Sequence, residues 1–122
     1  MKLHLTTAGN NYLITAHGAG FIEVSKQKYA QNLIVMPSKL IPDWQAADFF
    51  SLSAVHFDVL IELMPELVLL GTGEKHLFLH PSAYQNLTAQ GIALECMTTA
   101  AACRTYNILM SEGRNVAAAL SL

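Results

Sequence analysis

The glycine-rich turn Gly71-Thr72-Gly73 is the residue pattern with the clearest potential for chemistry, because it directly follows the predicted buried strand at residues 66–70, whose last four residues are apolar. Backbone N–H groups of such a turn can hold an anion, and open α/β folds bind ligands at the carboxyl ends of their strands. The turn lacks the third glycine of a dinucleotide-binding fingerprint and the Gly-Lys-Ser/Thr sequence of a P-loop. Two interpretations therefore stand side by side: a tight structural turn, and one wall of a ligand cleft.

Arg104 is the second candidate, because a guanidinium presents a planar fork of donors that suits a carboxylate or a phosphate. Asn107 lies about one helical turn further along and could share that ligand or cap a neighbouring loop. Alternatively, Arg104 belongs to an ion network with the charged residues near it in sequence, Glu95, Glu112 and Arg114. If the strands before the glycine turn and before the last helix are parallel neighbours, their ends open on one edge that Arg104 can reach. We therefore predict one polar cleft that binds a partner's acidic segment or a small anion, bordered by Gly71, Thr72, Gly73, Arg104 and Asn107.

Metal-binding and nucleophilic patterns are weak in this chain. His76 and His80 would lie about 13 Å apart on one strand face, too far for one ion, and the five histidines form no ligand motif. Cys103 lies on an alanine-rich helix face, which favours an inert buried thiol over a nucleophile. No Gly-x-Ser-x-Gly elbow and no carboxylate pair spaced for acid–base catalysis occurs. We expect no metal, no cofactor and no catalytic residue.

Composition indicates one compact domain, residues 1–122, because 52% hydrophobic and 13% charged residues suffice for a core. The formal net charge is -2 and no Lys/Arg run occurs, so we expect neither nucleic acid nor an anionic membrane as a partner. No apolar stretch approaches the roughly 20 residues that span a bilayer, so we expect no integral membrane protein. Two cysteines, and no leader-like segment before the strand pattern of residues 1–5, lead us to expect a reducing, cytoplasmic location.

The last third of the chain must position Arg104, and its pattern is strand, helix, strand. Residues 91–95 form an apolar strand, Thr98 and Thr99 supply hydroxyl caps, and a helix follows over residues 100–112. Gly113 ends the helix, and residues 115–120 form a final alanine-rich strand. Helical periodicity predicts one face packed on a sheet, with Cys103 at its edge: Ala102, Tyr106, Leu109, Met110 and Gly113.

The first half of the chain predicts strands. Residues 12–16 and 21–24 flank a turn with two glycines, which is typical of a β-hairpin. Residues 31–36 show no alternation, with Leu33, Ile34 and Val35 in succession, as in a strand buried on both faces, and Pro37 ends the strand.

The middle of the chain predicts alternating helix and strand. After the candidate caps Ser51 and Ser53, apolar residues recur at helical spacing at Val55, Val59, Leu60, Leu63 and Met64. A buried strand at 66–70, a short strand at 76–79 and a helix at 82–90 that begins after Pro81 complete the order. This order predicts an α/β domain with a central mixed β-sheet, an N-terminal β-hairpin region and helices packed on the sheet. We expect residues 33–35, 67–70 and 92–94 to be its central strands.

Several segments together resemble one protein family. They are GIALECM at residues 91–97, TAAACRTYNIL at 99–109, SEGR at 111–114, VAAAL at 116–120 and a second signature, LLGTG, at 69–73. The resemblance is to the domain-of-unknown-function family that includes the mitochondrial respiratory complex I assembly factor 3 and compact bacterial and archaeal relatives. It covers essentially the whole chain. Where the family often has an acid before the helix cap, this chain has Thr98, which keeps the cap but removes a charge.

Two functions of different class follow. The resemblance implies a non-enzymatic protein-interaction or assembly-factor-like module with a protein partner. The alternative is a small anionic ligand-binding protein or an unrecognised enzyme, with its cleft between Gly71-Thr72-Gly73 and Arg104. Ile108 lies on the outer side of the last helix, where a second subunit or another segment could cover it, although single exposed apolar residues are common.

Overall fold

The computed structural model describes residues 11–46 and 49–122, which form two β-sheets and three α-helices. The strand pattern predicted at residues 1–5 lies outside the described residues. The helices are α1 (Ala54–Leu63), α2 (Gln85–Ala89) and α3 (Thr99–Ser111), and short 3-10 turns occupy Phe49–Ser51 and Pro81–Tyr84. The strands are β1 (Ile14–Gly18), β2 (Phe21–Val24), β3 (Gln27–Tyr29), β4 (Leu33–Val35), β5 (Leu40–Ile41), β6 (Leu67–Gly71), β7 (Ala93–Met97) and β8 (Val116–Leu120). The α/β fold class predicted from the order of helical and strand patterns is confirmed.

The first three strands form an antiparallel sheet in the order β1-β2-β3. The predicted β-hairpin is confirmed, since Gly18 pairs with Phe21 and leaves only Ala19 and Gly20 in the turn. Gly20 has φ +77°, a conformation that glycine adopts without the steric cost of a side chain. A bulge between Ile14 and Ala16 shifts the register of β1.

The remaining strands form a mixed five-stranded sheet in the order β5-β4-β8-β6-β7. The central strand is β8, which runs antiparallel to β4 and parallel to β6. The parallel pairing predicted between the strand before the glycine turn and the strand before α3 is confirmed for β6 and β7. The expectation that residues 92–94 lie in a central strand is wrong for the described part of the chain, where β7 pairs only with β6 at the end of the strand order.

Both faces of this sheet are covered, which explains why every residue of β6 and β8 is buried. Helix α3 and the three-stranded sheet pack on one face, with Ala102, Cys103, Tyr106 and Met110 of the helix in the core. Helices α1 and α2 pack on the other face through Phe57, Leu60 and Leu87. The predicted inward side of α3 is confirmed except at its end, where Leu109 is half-buried and Gly113 is exposed.

The predicted apolar side of α1 is confirmed in part. Leu60 is buried and Val59 and Leu63 pack against the core, whereas Val55 is 68% exposed and Phe57 is buried instead. The strand predicted at 76–79 is wrong, because these residues form no strand within the described structure; the N–H of Leu77 donates instead to the Thr72 hydroxyl at 3.2 Å. A strand needs a neighbouring ladder, and at this point the backbone has a side-chain partner instead.

Candidate functional site

The chain before and within β1 runs along α3 and is fastened to it at two places. The Tyr106 hydroxyl donates to the carbonyl of Tyr12 at 2.7 Å. The Asn107 side chain accepts from the N–H of Ile14 at 3.0 Å and donates to the carbonyl of the same residue at 2.7 Å. Asn107 therefore holds the backbone of β1 as a neighbouring strand would, which agrees with its predicted alternative role as a partner of adjacent backbone.

Beyond Ile14, a groove opens between α3 and the β1–β2 hairpin. Its first part is a cavity of about 380 Å³ bounded by Thr15 and His17 of β1 and by Cys103, Arg104 and Asn107 of α3. Its second part is a cavity of about 580 Å³ between the hairpin tip, the start of α3 and the ends of β6 and β8, and its lining includes Gly73, Glu74, Thr98 and Ser121. His17 lines both cavities. The two cavities therefore share this residue, and together they are called the groove along α3.

The glycine turn at the end of β6 is tied to the start of α3 by two threonines. The N–H of Gly73 donates to the Thr99 hydroxyl at 2.8 Å, and the N–H of Thr99 donates to the carbonyl of Gly73 at 2.9 Å. The N–H of Thr72 donates to the carbonyl of Met97 at 2.8 Å. The N–H groups of Thr72 and Gly73 are thus directed at acceptors within the protein, as in a tight structural turn.

The Thr99 hydroxyl also links this turn to the end of the central strand. It donates to the carbonyl of Ser121 at 2.6 Å, while the N–H of Ser121 donates to the carbonyl of Gly71 at 3.0 Å. The predicted cap is confirmed at Thr98, whose hydroxyl accepts from the N–H of Ala101 at 3.2 Å. The ends of β6, β7 and β8 and the start of α3 are therefore one hydrogen-bonded unit that forms the floor of the larger cavity.

The structure brings some of the predicted site residues together and separates others. Gly71 and Thr72 are buried beneath the larger cavity, and Gly73 lines it. Arg104 and Asn107 line the smaller cavity, on the far side of His17. The proximity of the glycine turn to the start of α3 agrees with the predicted common edge. Binding at these residues stays a prediction.

Among the described residues, Arg104 has no ion pair or hydrogen bond, and its side chain is exposed. Arg114, a member of the ion network predicted as the alternative for Arg104, contacts Glu66 instead, with 3.2 Å between Nε and Oε1. The N–H of Asn115 also donates to the Glu66 carboxylate, and this bond, followed by Arg114, lowers the pKa of Glu66. Arg114 is therefore engaged elsewhere, while the guanidinium of Arg104 is free to meet an anion in the groove.

The core groups beside the groove are unsuited to nucleophilic chemistry. Burial raises the pKa of the Cys103 thiol to about 11, against a smaller opposite effect of the Arg104 charge. At neutral pH the thiol is therefore protonated, as predicted for an inert buried cysteine. Burial also raises the pKa of Tyr106, whose hydroxyl stays available as the donor to Tyr12.

Sequence reasoning did not identify His17 as a groove residue. It weighed the histidines only as metal ligands, and the position of this one depends on how the hairpin lies on α3. Among the described residues, no group of three or more His, Cys, Asp or Glu side chains is arranged to hold a metal ion. One sequence feature could have identified His17: it lies next to the turn of a predicted β-hairpin, and the outer strand of a hairpin can have unpaired backbone groups at its edge.

Comparison with known proteins identifies relatives over nearly the whole chain. Residues 14–121 match the sequence model of a family described as "Protein of unknown function (DUF498/DUF598)". A "13 kDa major membrane protein" of Francisella tularensis subsp. holarctica is 36% identical over 69 residues, which is 57% of this chain and 56% of that protein. NADH dehydrogenase (ubiquinone) 1 alpha subcomplex assembly factor 3 of Xenopus tropicalis is 31% identical over 121 residues, 98% of this chain and 65% of that protein.

A solved structure shows the same fold. The crystal structure of a Bordetella parapertussis protein superposes with a TM-score of 0.85 at 36% identity, covering 91% of this chain and 95% of that one. The chain spans 56% and 65% of the two curated relatives named above. Within residues 11–46 and 49–122, no helix has both the length and the apolar character that crossing a membrane requires.

Proposed function

The chain belongs to the DUF498/DUF598 family of proteins of unknown function, and from this membership we propose that it is a non-enzymatic protein-interaction module of the assembly-factor type. The Xenopus relative is named as an assembly factor for an NADH dehydrogenase subcomplex. Assembly factors act by holding other proteins, so an equivalent role here requires a surface that grips a partner. A role in assembling a respiratory complex is part of this proposal.

The observation that carries the proposal is the groove between α3 and the β1–β2 hairpin, with Arg104 in its wall. Arg104 is exposed and has no counter-charge among the described residues. Such an arginine favours a carboxylate, because the guanidinium fork can donate two parallel hydrogen bonds to it. The occupant we propose is an acidic segment of a partner protein. Gly73 and Arg104, which line the groove, would meet this segment, while Asn107 holds β1 against α3 and the buried Gly71 and Thr72 support the floor of the larger cavity.

An affinity capture from the organism's own cells tests this function. The tagged protein, Arg104→Ala and Arg104→Glu are compared by quantitative mass spectrometry of the proteins they retain. We expect the wild type to retain a protein that Arg104→Ala retains roughly tenfold less, since a charge-assisted hydrogen bond contributes about 1.5–3 kcal/mol. The matched control is Arg114→Ala, because Arg114 is also an exposed arginine near α3 but contacts Glu66. This control should retain the partner as the wild type does.

Two results would contradict the proposal. Equal retention by the wild type and Arg104→Glu would mean that the groove arginine does not contact the partner. A large fall in the melting temperature of Arg104→Ala would mean that Arg104 supports the fold. We also propose a cytoplasmic location, which cell fractionation tests directly.

The size of the larger cavity favours a second candidate, a small-anion-binding protein or an unrecognised enzyme. Its volume of about 580 Å³ falls within the roughly 300–1,000 Å³ that small-molecule sites occupy. Titration of the protein with inorganic phosphate and with citrate, monitored by NMR of the Gly73 and Ala100 amides, distinguishes this candidate. Saturable shifts of these two amides, which lie at the larger cavity, would favour it over the interaction module.

A further inference from the structure

The hydrogen-bonding pattern of the three-stranded sheet determines which backbone groups of β1 face the groove. In β2, Ile22 and Val24 pair with Tyr29 and Gln27 of β3 across a tight turn, so their N–H and C=O groups point towards β3. The same two residues lie opposite His17 and Ile14 of β1. In an antiparallel sheet the residues opposite them must then turn their own N–H and C=O groups away, to the outer edge of β1.

Ile14 confirms this pattern, because both of its backbone groups bond to Asn107 on α3. The bulge between Ile14 and Ala16 adds one residue, so the next outward-facing position is His17. The pairing pattern gives the N–H and C=O of His17 no partner in β2, and no other bond to them occurs within the described part of the chain. Among the described residues, His17 is therefore an open pairing position on the edge of β1, next to Ile14, whose backbone groups are already bonded to Asn107.

The space beside His17 and the charges around it indicate what can pair there. His17 lines both cavities of the groove, so an extended chain at its edge would have room on either side. Arg104 lies in the wall of the smaller cavity and Glu74 in the wall of the larger one. A negative side chain is accordingly favoured at the Arg104 end and disfavoured at the Glu74 end.

We propose that the partner's acidic segment binds as an added β-strand on the edge of β1. An acidic residue of the segment lies opposite His17: its own N–H and C=O form a pair of hydrogen bonds with the C=O and N–H of His17, and its side chain contacts Arg104. Strand addition of this kind takes its affinity from main-chain bonds and its specificity from alternate side chains. This inference rests on the proposed protein-interaction function and adds the geometry of recognition.

The test uses a capped synthetic peptide, Thr-Val-Asp-Val-Thr, as the probe, with binding followed by NMR of the labelled protein. Two control peptides differ from it by one feature each: in the first, lysine replaces the aspartate, and in the second, a methyl group replaces the hydrogen of the aspartate N–H. We expect roughly tenfold weaker binding of each control, because the first loses the charge and the second loses a strand donor. The His17 amide should shift and exchange more slowly only with the unmodified peptide.

Protein variants separate the backbone of His17 from its side chain. His17→Pro removes the outward N–H, which has no partner within the described fold and which an edge strand can lose. It should weaken probe binding roughly tenfold, whereas His17→Ala, which keeps the backbone, should bind within about twofold of the wild type. A melting curve checks that His17→Pro is folded, and if it is not, the N-methylated peptide still decides the question.

The outcomes distinguish this inference from the function on which it rests. If binding depends on Arg104 but not on N-methylation or on His17→Pro, strand addition is overturned while charge recognition stands. If the unmodified probe does not bind at all, strand addition is also overturned, and the cell capture with Arg104 variants decides the proposed function separately. If the lysine peptide binds as tightly as the aspartate peptide, the assigned role of Arg104 is overturned.

Discussion

A single methyl group added at Gly71 should destabilise the protein strongly, because β6 ends directly beneath the first turn of α3. A Cβ at this position would lie 2.9 Å from the Thr99 hydroxyl oxygen and 3.1 Å from the Thr99 Cα, and 3.0 Å from a methyl carbon of Leu120. The Cα belongs to a backbone held by hydrogen bonds to Gly73, and Leu120 is fully buried, so neither can yield easily. Overpacking of this kind costs roughly 1–3 kcal/mol.

For a chain of this length, Gly71→Ala should lower the melting temperature by roughly 4–12 °C, measured by calorimetry or circular dichroism. The matched control is Gly18→Ala, which also adds one carbon. The Cβ added at residue 18 would contact only the ring of Phe21, 2.6 Å away, on a partly exposed hairpin. Since that ring is the end of a flexible side chain, Gly18→Ala should cost less than Gly71→Ala.

A double-mutant cycle of Gly71→Ala and Thr99→Ala tests whether the destabilisation by Gly71→Ala comes from contact with Thr99. Thr99→Ala alone should destabilise the protein by roughly 1–2 kcal/mol, because the N–H of Gly73 and the carbonyl of Ser121 lose their partner. In the Gly71→Ala background it should cost less, since it also removes the atom nearest to the added methyl group. An unchanged melting temperature for Gly71→Ala, or fully additive effects, would refute the close packing of β6 against α3.

Three further predictions concern α3. Ala102→Leu should cost roughly 1–3 kcal/mol in the free energy of unfolding, because Ala102 is fully buried in the core beneath the helix; an unchanged melting midpoint would mean that the helix presents a different face. Asn107→Ala should lower the free energy of unfolding by roughly 1–3 kcal/mol and speed hydrogen exchange of the Ile14 amide, since both backbone bonds of Ile14 are lost. Asn107→Asp keeps the oxygen that accepts from the Ile14 N–H but loses the donor to its carbonyl. If the Ile14 amide still exchanges fast in Asn107→Asp, the bond from this amide to residue 107 is contradicted. Burial raises the pKa of Cys103 to about 11, so the free energy of unfolding should fall between about pH 9 and pH 11 by up to roughly 2–3 kcal/mol. Cys103→Ala should remove that part of the pH dependence, and an identical slope in the variant would show that Cys103 does not cause it.

The sign of the pH effect follows from which state loses its proton first. The unfolded thiol has its ordinary pKa near 9.0, whereas the folded thiol releases its proton only near 11. Between these values the unfolded state binds fewer protons, so rising pH favours unfolding and the stabilisation present below pH 9 is lost. Tyr106, whose pKa burial also raises, changes stability in the same direction, and comparison with Cys103→Ala cancels its contribution.

The sequence alone determined the features that depend on local patterns. The hairpin of β1 and β2, the cap at Thr98, the extent of α3 and its inward side all follow from turn chemistry and helical periodicity over a few residues. The order of helices and strands was sufficient to predict a mixed sheet and the parallel neighbours β6 and β7. The glycine turn was found in the sequence because a buried strand ends there.

The tertiary structure decided which elements become neighbours. An alanine-rich strand shows no strong periodicity, yet β8 is the centre of the sheet, since small side chains permit helices to pack closely on both faces. Residues 76–79 have a strand-like composition but have no neighbouring strand among the described residues, and the N–H of Leu77 donates to the Thr72 hydroxyl. A pattern in one segment cannot reveal whether a ladder partner exists elsewhere in the chain.

For the candidate site, too, some features were predictable from the sequence and others were visible only in the folded structure. The sequence identified Arg104 and Gly73 as residues able to meet an anion, because donor geometry and turn conformation are properties of the residues themselves. Only the docking of β1 on α3 shows that these residues line two cavities and that His17 is shared by both. That docking depends on hydrogen bonds such as those of Asn107 to Ile14, between residues 93 positions apart in the chain. Contacts of that separation leave no periodic signal in the sequence, which is why the open edge at His17 became visible only in the folded protein.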